Sequence, residues 1–243
     1  MSTKNLKIAG LLVIAAILLA AGGCSLSAQG VRVGPLRTES RTVELGSAKS
    51  VSVEINMGAG ELEVSGGADE LLEADFTYNV AELKPEVSYS GGKLIVQLPD
   101  VKVGIRSLWD LDDYRYEWDL RLNDDVPMEM NVDLGAGTVD LALGSLSLTK
   151  LSIDMGAGRV TADLTGDWQN DLDAQLQGGV GELTVRLPRD VGVRVEIDGG
   201  LGEVNAAGLA KNGDVYTNDA YGESEVTLRI DINAGVGRIN LEQ

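Results

Sequence analysis

The sequence predicts an all-β fold, a stacked β-solenoid of about seven Gly-x-Gly repeats. Three observations predict it. A glycine pair recurs, as in "VDLGAGTVDL" from Val132 and "IDMGAGRVTA" from Ile153. Around each pair, apolar residues alternate with polar ones, which marks half-buried strands. The closest intervals between copies are 21, 23 and 21 residues, within the range of solenoid repeats. An antiparallel β-sandwich is the alternative, because short strands with frequent turns also suit it.

Each copy reads as strand, tight corner, strand. Val51, Val53 and Ile55 precede the corner of the first copy, and Leu62 and Val64 follow it. The corner glycines are Gly58 and Gly60, Gly135 and Gly137, Gly156 and Gly158, Gly179 and Gly181, Gly200 and Gly202, and Gly235 and Gly237. Glycine there permits positive φ or close stacking of one corner on the next. A degenerate copy, "VSYSGGKLIV", carries Ser90 in place of the first glycine. Two residues before each pair stands a polar residue: Asn56, Asp133, Asp154, Asp198 and Asn233, with Ser88 and Gln177 in the other copies. Such side chains accept from the backbone two residues on, so they are expected to cap the turn. A calcium ladder is excluded, since the matching acidic positions hold Leu62, Val139 and Val160. "SGG" at 65–67, "LGS" at 143–145, "TGDW" at 165–168 and "AGL" at 207–209 mark a second corner per coil. Residues after the second glycine alternate in sign in the pairs Glu61–Lys93, Arg159–Glu182 and Glu203–Arg238. Stacking in register would set each pair side by side.

The N-terminus reads "MSTKNLKIAGLLVIAAILLAAGGCSLS". Lys4 and Lys7 precede an apolar run from Ile8 to Ala21, short for a membrane span and suited to a signal peptide. Ala21, Gly22 and Gly23 then lead to Cys24, the only cysteine. This resembles the lipobox of bacterial lipoproteins, with Ala21 where leucine is usual. The resemblance implies a signal peptide over 1–23 and lipidation of Cys24. Residues 24–37 read as a flexible tether and 38–243 as the β-repeat domain. Removing residues 1–23 loses two lysines and no acid, which takes the net charge from −18 to −20.

Three stretches, "GAGELEVSGGADELLEADFTYN", "YEWDLRLNDDVPMEMNVDLGAGTVDLALGSLSLTKLSIDMGAGRVTADL" and "VYTNDAYGESEVTLRIDINAGVGRINL", together resemble bacterial toast-rack domain proteins. That domain is related to the C-terminal region of LiaF-like membrane proteins, which take part in responses to cell-wall-active antibiotics. The resemblance covers about residues 38–243. It implies a β-repeat envelope protein without established catalytic residues.

Composition narrows the chemistry further. The chain has no histidine, which removes the commonest general base and metal ligand. Its acidity repels phosphate backbones and excludes nucleic acid as a partner. The longest interval between turns holds "SLWDLDDYRYEWDLRLNDD" from Ser107. Tyr116 and Trp118 lie on its apolar alternation and are expected in the core or at an end cap. Trp109, with Asp110, Asp112 and Asp113, falls outside that alternation and is the candidate partner-binding loop. A solvated acidic loop is preferred over a divalent-cation site. Asp110 with Asp112 or Glu117 would be the carboxyl pair of a carbohydrate-active enzyme on a β-helix scaffold, but no cationic cluster accompanies them. The expected function is a membrane-anchored, non-catalytic interaction module, with envelope stress response or adhesion as its setting. A passive envelope component is the other alternative. No cofactor or metal is expected. The expected partners are the membrane, through Cys24, and an envelope protein or glycan.

Overall fold

The computed structural model describes residues 32–99 and 113–243. Cys24 lies outside them, as do Trp109, Asp110 and Asp112. The elements are β1 (Arg37–Val43), β2 (Val51–Ser65), β3 (Leu72–Tyr78), β4 (Glu86–Ser90), β5 (Lys93–Gln97), β6 (Tyr116–Leu122), β7 (Met128–Ala142), β8 (Leu148–Asp163), β9 (Leu172–Arg186), β10 (Gly192–Asp198), β11 (Leu201–Ala206), β12 (Ala210–Asn212), β13 (Val215–Thr217) and β14 (Thr227–Glu242). Strand β1 begins at Arg37, the last residue read as tether.

All fourteen strands form one mixed sheet. Its spine is five long strands in the order β2-β7-β8-β9-β14, every neighbour parallel. The sequence-based sandwich alternative, built on antiparallel pairing, therefore does not describe this spine. Three successive copies, β7 to β9, stack in chain order. Strand β14 inserts between β9 and β10, so the copies beyond β9 do not follow chain order.

The expected tight corner takes a different form. Each long strand keeps one register through its Gly-x-Gly, with Ala136 beside Ala157 and Gly137 beside Gly158, the ladder skipping only the first glycine. What changes at the glycines is the phase of burial. In β8, beyond the buried Leu148 at its start, the buried positions are Leu151, Ile153 and Met155, then Val160 and Ala162. The inward set moves from odd to even numbers, so the strand bends there and keeps its apolar residues on the inner side. Residues from both halves of the strands join one buried cluster.

The second glycines form a column, Gly60–Gly137–Gly158–Gly181–Gly237–Gly202, each paired with the next. A Cβ added to Gly158 would overlap the carbonyl oxygen of Gly137, and φ there is 137°. Both constraints demand glycine. The first glycines differ. Gly156 has no left-handed φ, and the bar to a side chain there is the carbonyl of Gly135 alone. The copy read at Gly200–Gly202 is broken, since Gly199 and Gly200 both take positive φ and separate β10 from β11.

Two further readings are corrected. "VSYSGGKLIV" is not a repeat but an antiparallel hairpin, β4–β5, turning at Gly91 and Gly92. Lys93 therefore lies beside Ser52 and ion-pairs with Glu54 at 2.7 Å, not with Glu61. The turn-capping role of Asn56, Asp133, Asp154, Asp198 and Asn233 also fails. Among the described residues none of these side chains bonds a glycine N–H, and all face outward in register across the sheet. A pleated strand alternates its faces, so a residue between two buried ones must point to water.

The glycine column yields a contrast between neighbouring glycines. Gly158→Ala should destabilise the domain by about 2–4 kcal/mol, from backbone strain and overpacking. Gly178→Ala has open space around its Cβ and should change stability by less than about 0.5 kcal/mol, as should Asp154→Ala. Chemical denaturation of the three variants checks this; equal losses for Gly158→Ala and Gly178→Ala would contradict the column.

Candidate interaction surface

The outward face of the sheet is built by the same register that builds the core. Parallel strands lie about 4.8 Å apart, so equivalent residues of successive copies form columns. Asn56, Asp133, Asp154, Gln177, Asn233 and Asp198 make one. The column after the second glycine reads Glu61, Thr138, Arg159, Glu182, Arg238 and Glu203. Its last four members alternate in charge. Arg159 meets Glu182 at 3.3 Å, and Arg238 meets Glu182 at 3.7 Å and Glu203 at 3.4 Å. The sequence-based pairs Arg159–Glu182 and Glu203–Arg238 thus adjoin as expected. Exposed pairs of this kind contribute about 0.2–1 kcal/mol each.

The two ends of the spine are finished differently. At the β2 end, β5 covers the first half of the strand and β6 covers the second. Strand β6 is backed in turn by β3 and β1. The carbonyl of Tyr116 sits against Gly60 and terminates the glycine column, while the Tyr114 hydroxyl donates to the Ala59 carbonyl at 3.0 Å. Tyr116 and Trp118 are buried, as the alternation of this segment implies. Trp118 meets Phe76 edge-on with ring centroids 5.5 Å apart, a favoured aromatic geometry. Among the described residues the Tyr116 hydroxyl and the Trp118 Nε1 have no hydrogen-bond partner. Burial raises the Tyr116 hydroxyl far above its ordinary pKa, and Tyr114 likewise.

Of the candidate loop, Asp113 alone is described. It is exposed, with φ of 66°, and its carbonyl accepts from the Asn79 amide. Asn79 Oδ1 in turn accepts from the Arg115 N–H at 3.0 Å, which fixes where the loop rejoins β6. Glu117, the described member of the carboxyl candidates, ion-pairs with Arg115 at 3.2 Å. Sequence reasoning missed Asn79 and two residues like it, Asn123 and Asn218. All three are buried at strand ends and use their amides to hold crossing backbone. Their signal was available, a lone Asn directly after an alternating run.

At the other end of the spine, β10 pairs with the first half of β14 and β11 with the second. Hairpin β12–β13 extends the β10 half. Among the described residues nothing pairs with the far side of β11. Val180 and Val236 are large apolar residues exposed here, and a cleft of about 60 Å³ opens beside Val204, Leu183 and Ile239.

Among the described residues no group of three acidic or thiol ligands could hold a metal, and no helix is long and apolar enough to cross a membrane. The carboxyls with displaced pKa, Glu39, Asp163 and Asp171, are all lowered.

These features define a class: an all-β domain of parallel, glycine-stacked strands presenting regular outward columns. The family described as the N-terminal domain of toast_rack, DUF2154, matches residues 32–186. The chain belongs to the toast-rack family. It is 36% identical to a candidate cell adhesion protein from Clostridium sporogenes, over 86% of this chain and 100% of that one, with a TM-score of 0.82. A candidate adhesin from Bacteroides fragilis is 12% identical over 84% and 97% of the two chains, with a TM-score of 0.31. No curated protein matches this chain.

The loop after β8 is tied to the start of β14 by one carboxylate. Asp171 accepts from the Thr227 N–H and from Arg229, each at 2.9 Å. The backbone donor first, and the guanidinium second, hold its pKa below the usual value. A lowered folded pKa adds stability above the unfolded value, about 3.9, and that stability is lost as pH falls through the folded pKa. The protection of the Thr227 amide, relative to its intrinsic exchange rate, should therefore fall below about pH 4 in the wild type. In Asp171→Asn the amide should exchange faster already at neutral pH, without that acid step.

Proposed function

We propose that this chain is a non-catalytic recognition module of a bacterial cell envelope, held at a membrane by lipid on Cys24. The observation that carries the reading is how the domain uses its charges. Ten of the sixteen lysines and arginines among the described residues are engaged in ion pairs, several of them between neighbouring strands, and the displaced carboxyls are lowered, whereas a general acid requires a raised one. The outward columns are polar and charged side chains on a rigid scaffold, suited to presenting loops and edges to a partner. The 36% identical relative, a candidate cell adhesion protein, supports the same class of role. The basic, apolar and small-residue order ending at the sole cysteine supports the anchor. The 1–23 signal peptide, the 24–37 tether and an outward-facing location follow from that anchor. Trp109, with Asp110, Asp112 and Asp113, is proposed as one partner contact.

Expression of the full precursor with a fatty-acid probe tests the anchor. Wild type should label and fractionate with membranes, and Cys24→Ser should do neither; equal labelling of the two would remove the anchor. A glycan array and envelope pull-down with the unlipidated domain test recognition. Trp109→Ala should weaken recovery while leaving the melting temperature unchanged.

A further inference from the structure

We propose that β11 is a docking edge for an extended strand of a partner protein, added parallel to β11 and carrying the motif glycine, then arginine or lysine, then a branched apolar residue. The proposal rests on the recognition reading above and gives it a surface.

Three observations specify this occupant. The first is the inward column Leu62, Val139, Val160, Leu183, Ile239 and Val204, each residue paired with the next. Leu62 and Val139 are fully buried and Ile239 is 5% exposed, but Val204 is 38% exposed. Leu183, beside the cleft of about 60 Å³, is half-buried, and the column is most open at β11. An apolar side chain continuing this column would cover Val204. Solenoid stacks need their end faces covered, and an unpaired strand edge is a template for a further strand.

The second observation is steric. In each neighbouring pair of the column, a Cβ on the later glycine would overlap the carbonyl of the earlier one, and Gly202 stands so against Gly237. Gly202 ends the column, so the next strand in the same register must place glycine beside it. The third is charge complementarity. The row Arg159, Glu182, Arg238 and Glu203 alternates in sign and stops on an acid whose side chain is 62% exposed. The position following the incoming glycine therefore calls for a cation.

A second folded copy cannot supply this strand. The chain contains the motif at Gly92–Leu94, Gly158–Val160 and Gly237–Ile239. Strands β8 and β14, which hold two of these segments, and β5, which begins directly after Gly92, are all paired on both sides. The remaining sequence matches, Gly30-Val31-Arg32 and Gly104-Ile105-Arg106, carry the cation one place too late.

The test uses the chain from residue 24 with Cys24→Ser and a labelled peptide of the sequence GVGRINLEQ, a copy of residues 235–243. The peptide should bind saturably and shift backbone amide resonances of 201–206. A peptide carrying Gly237→Val should bind at least about tenfold more weakly, the factor that about 1.4 kcal/mol of overlap produces. A peptide carrying Arg238→Glu should bind about two- to fivefold more weakly, and Glu203→Lys in the protein should reverse that preference. Four results would each overturn the proposal: no binding by any peptide, equal binding of the Gly237→Val peptide, shifts confined to another face, or β11 amides already protected in the free protein. Protection that appears with dimerisation would assign the edge to a second copy instead. An envelope partner recovered while the peptide fails would leave the recognition module standing and remove only this surface.

Discussion

The structure depends on one close approach, backbone against backbone at the second glycine of every copy. With no Cβ at Gly137, Gly158, Gly181 or Gly237, each strand rests on the carbonyl of the one before it. That contact fixes register to the residue, because a one-place slip would set a side chain on a carbonyl. Register then decides everything built on it. The inner columns become continuous apolar rows, the outer columns become rows of like position, and both halves of a bent strand serve one core.

Fixed register also dictates the electrostatics of a chain with net charge −18. Side chains at one level must tolerate their neighbours about 4.8 Å away. Where signs alternate the sheet gains cross-strand pairs, as when Arg186 reaches Asp163 on one side and Glu242 on the other, each at 3.5 Å. Where they repeat, as for Asp133 beside Asp154, the parallel register holds like charges together at a small cost. That cost is tolerable because both side chains face water, where the repulsion is screened.

The ends of the stack break its symmetry. At the β2 end, β6, β3 and β1 close the core over Trp118 and Phe76, and Asn79 fastens the returning chain. At the β14 end, the split between β10 and β11 sends half of the last coil into hairpin β12–β13 and leaves the other half as an edge. Gly199 and Gly200, both at positive φ, allow that split.

The sequence by itself determined the all-β class, the positions of the stacked glycines and the inward residues, because alternation and Gly-x-Gly spacing are local consequences of pleat and close approach. It also placed Arg159 beside Glu182 and Tyr116 and Trp118 in the core. Only the tertiary structure decided that the glycines bend an unbroken strand, that Gly91 and Gly92 turn a hairpin, and that β14 inserts beside β9 out of chain order. A motif of two glycines serves a bend, a hairpin or a break equally well, and pairing partners distant in sequence choose among them. The same holds for the surface: Val204 carries the alternation of a core residue, and only the absence of a further strand among the described residues leaves it half open to solvent.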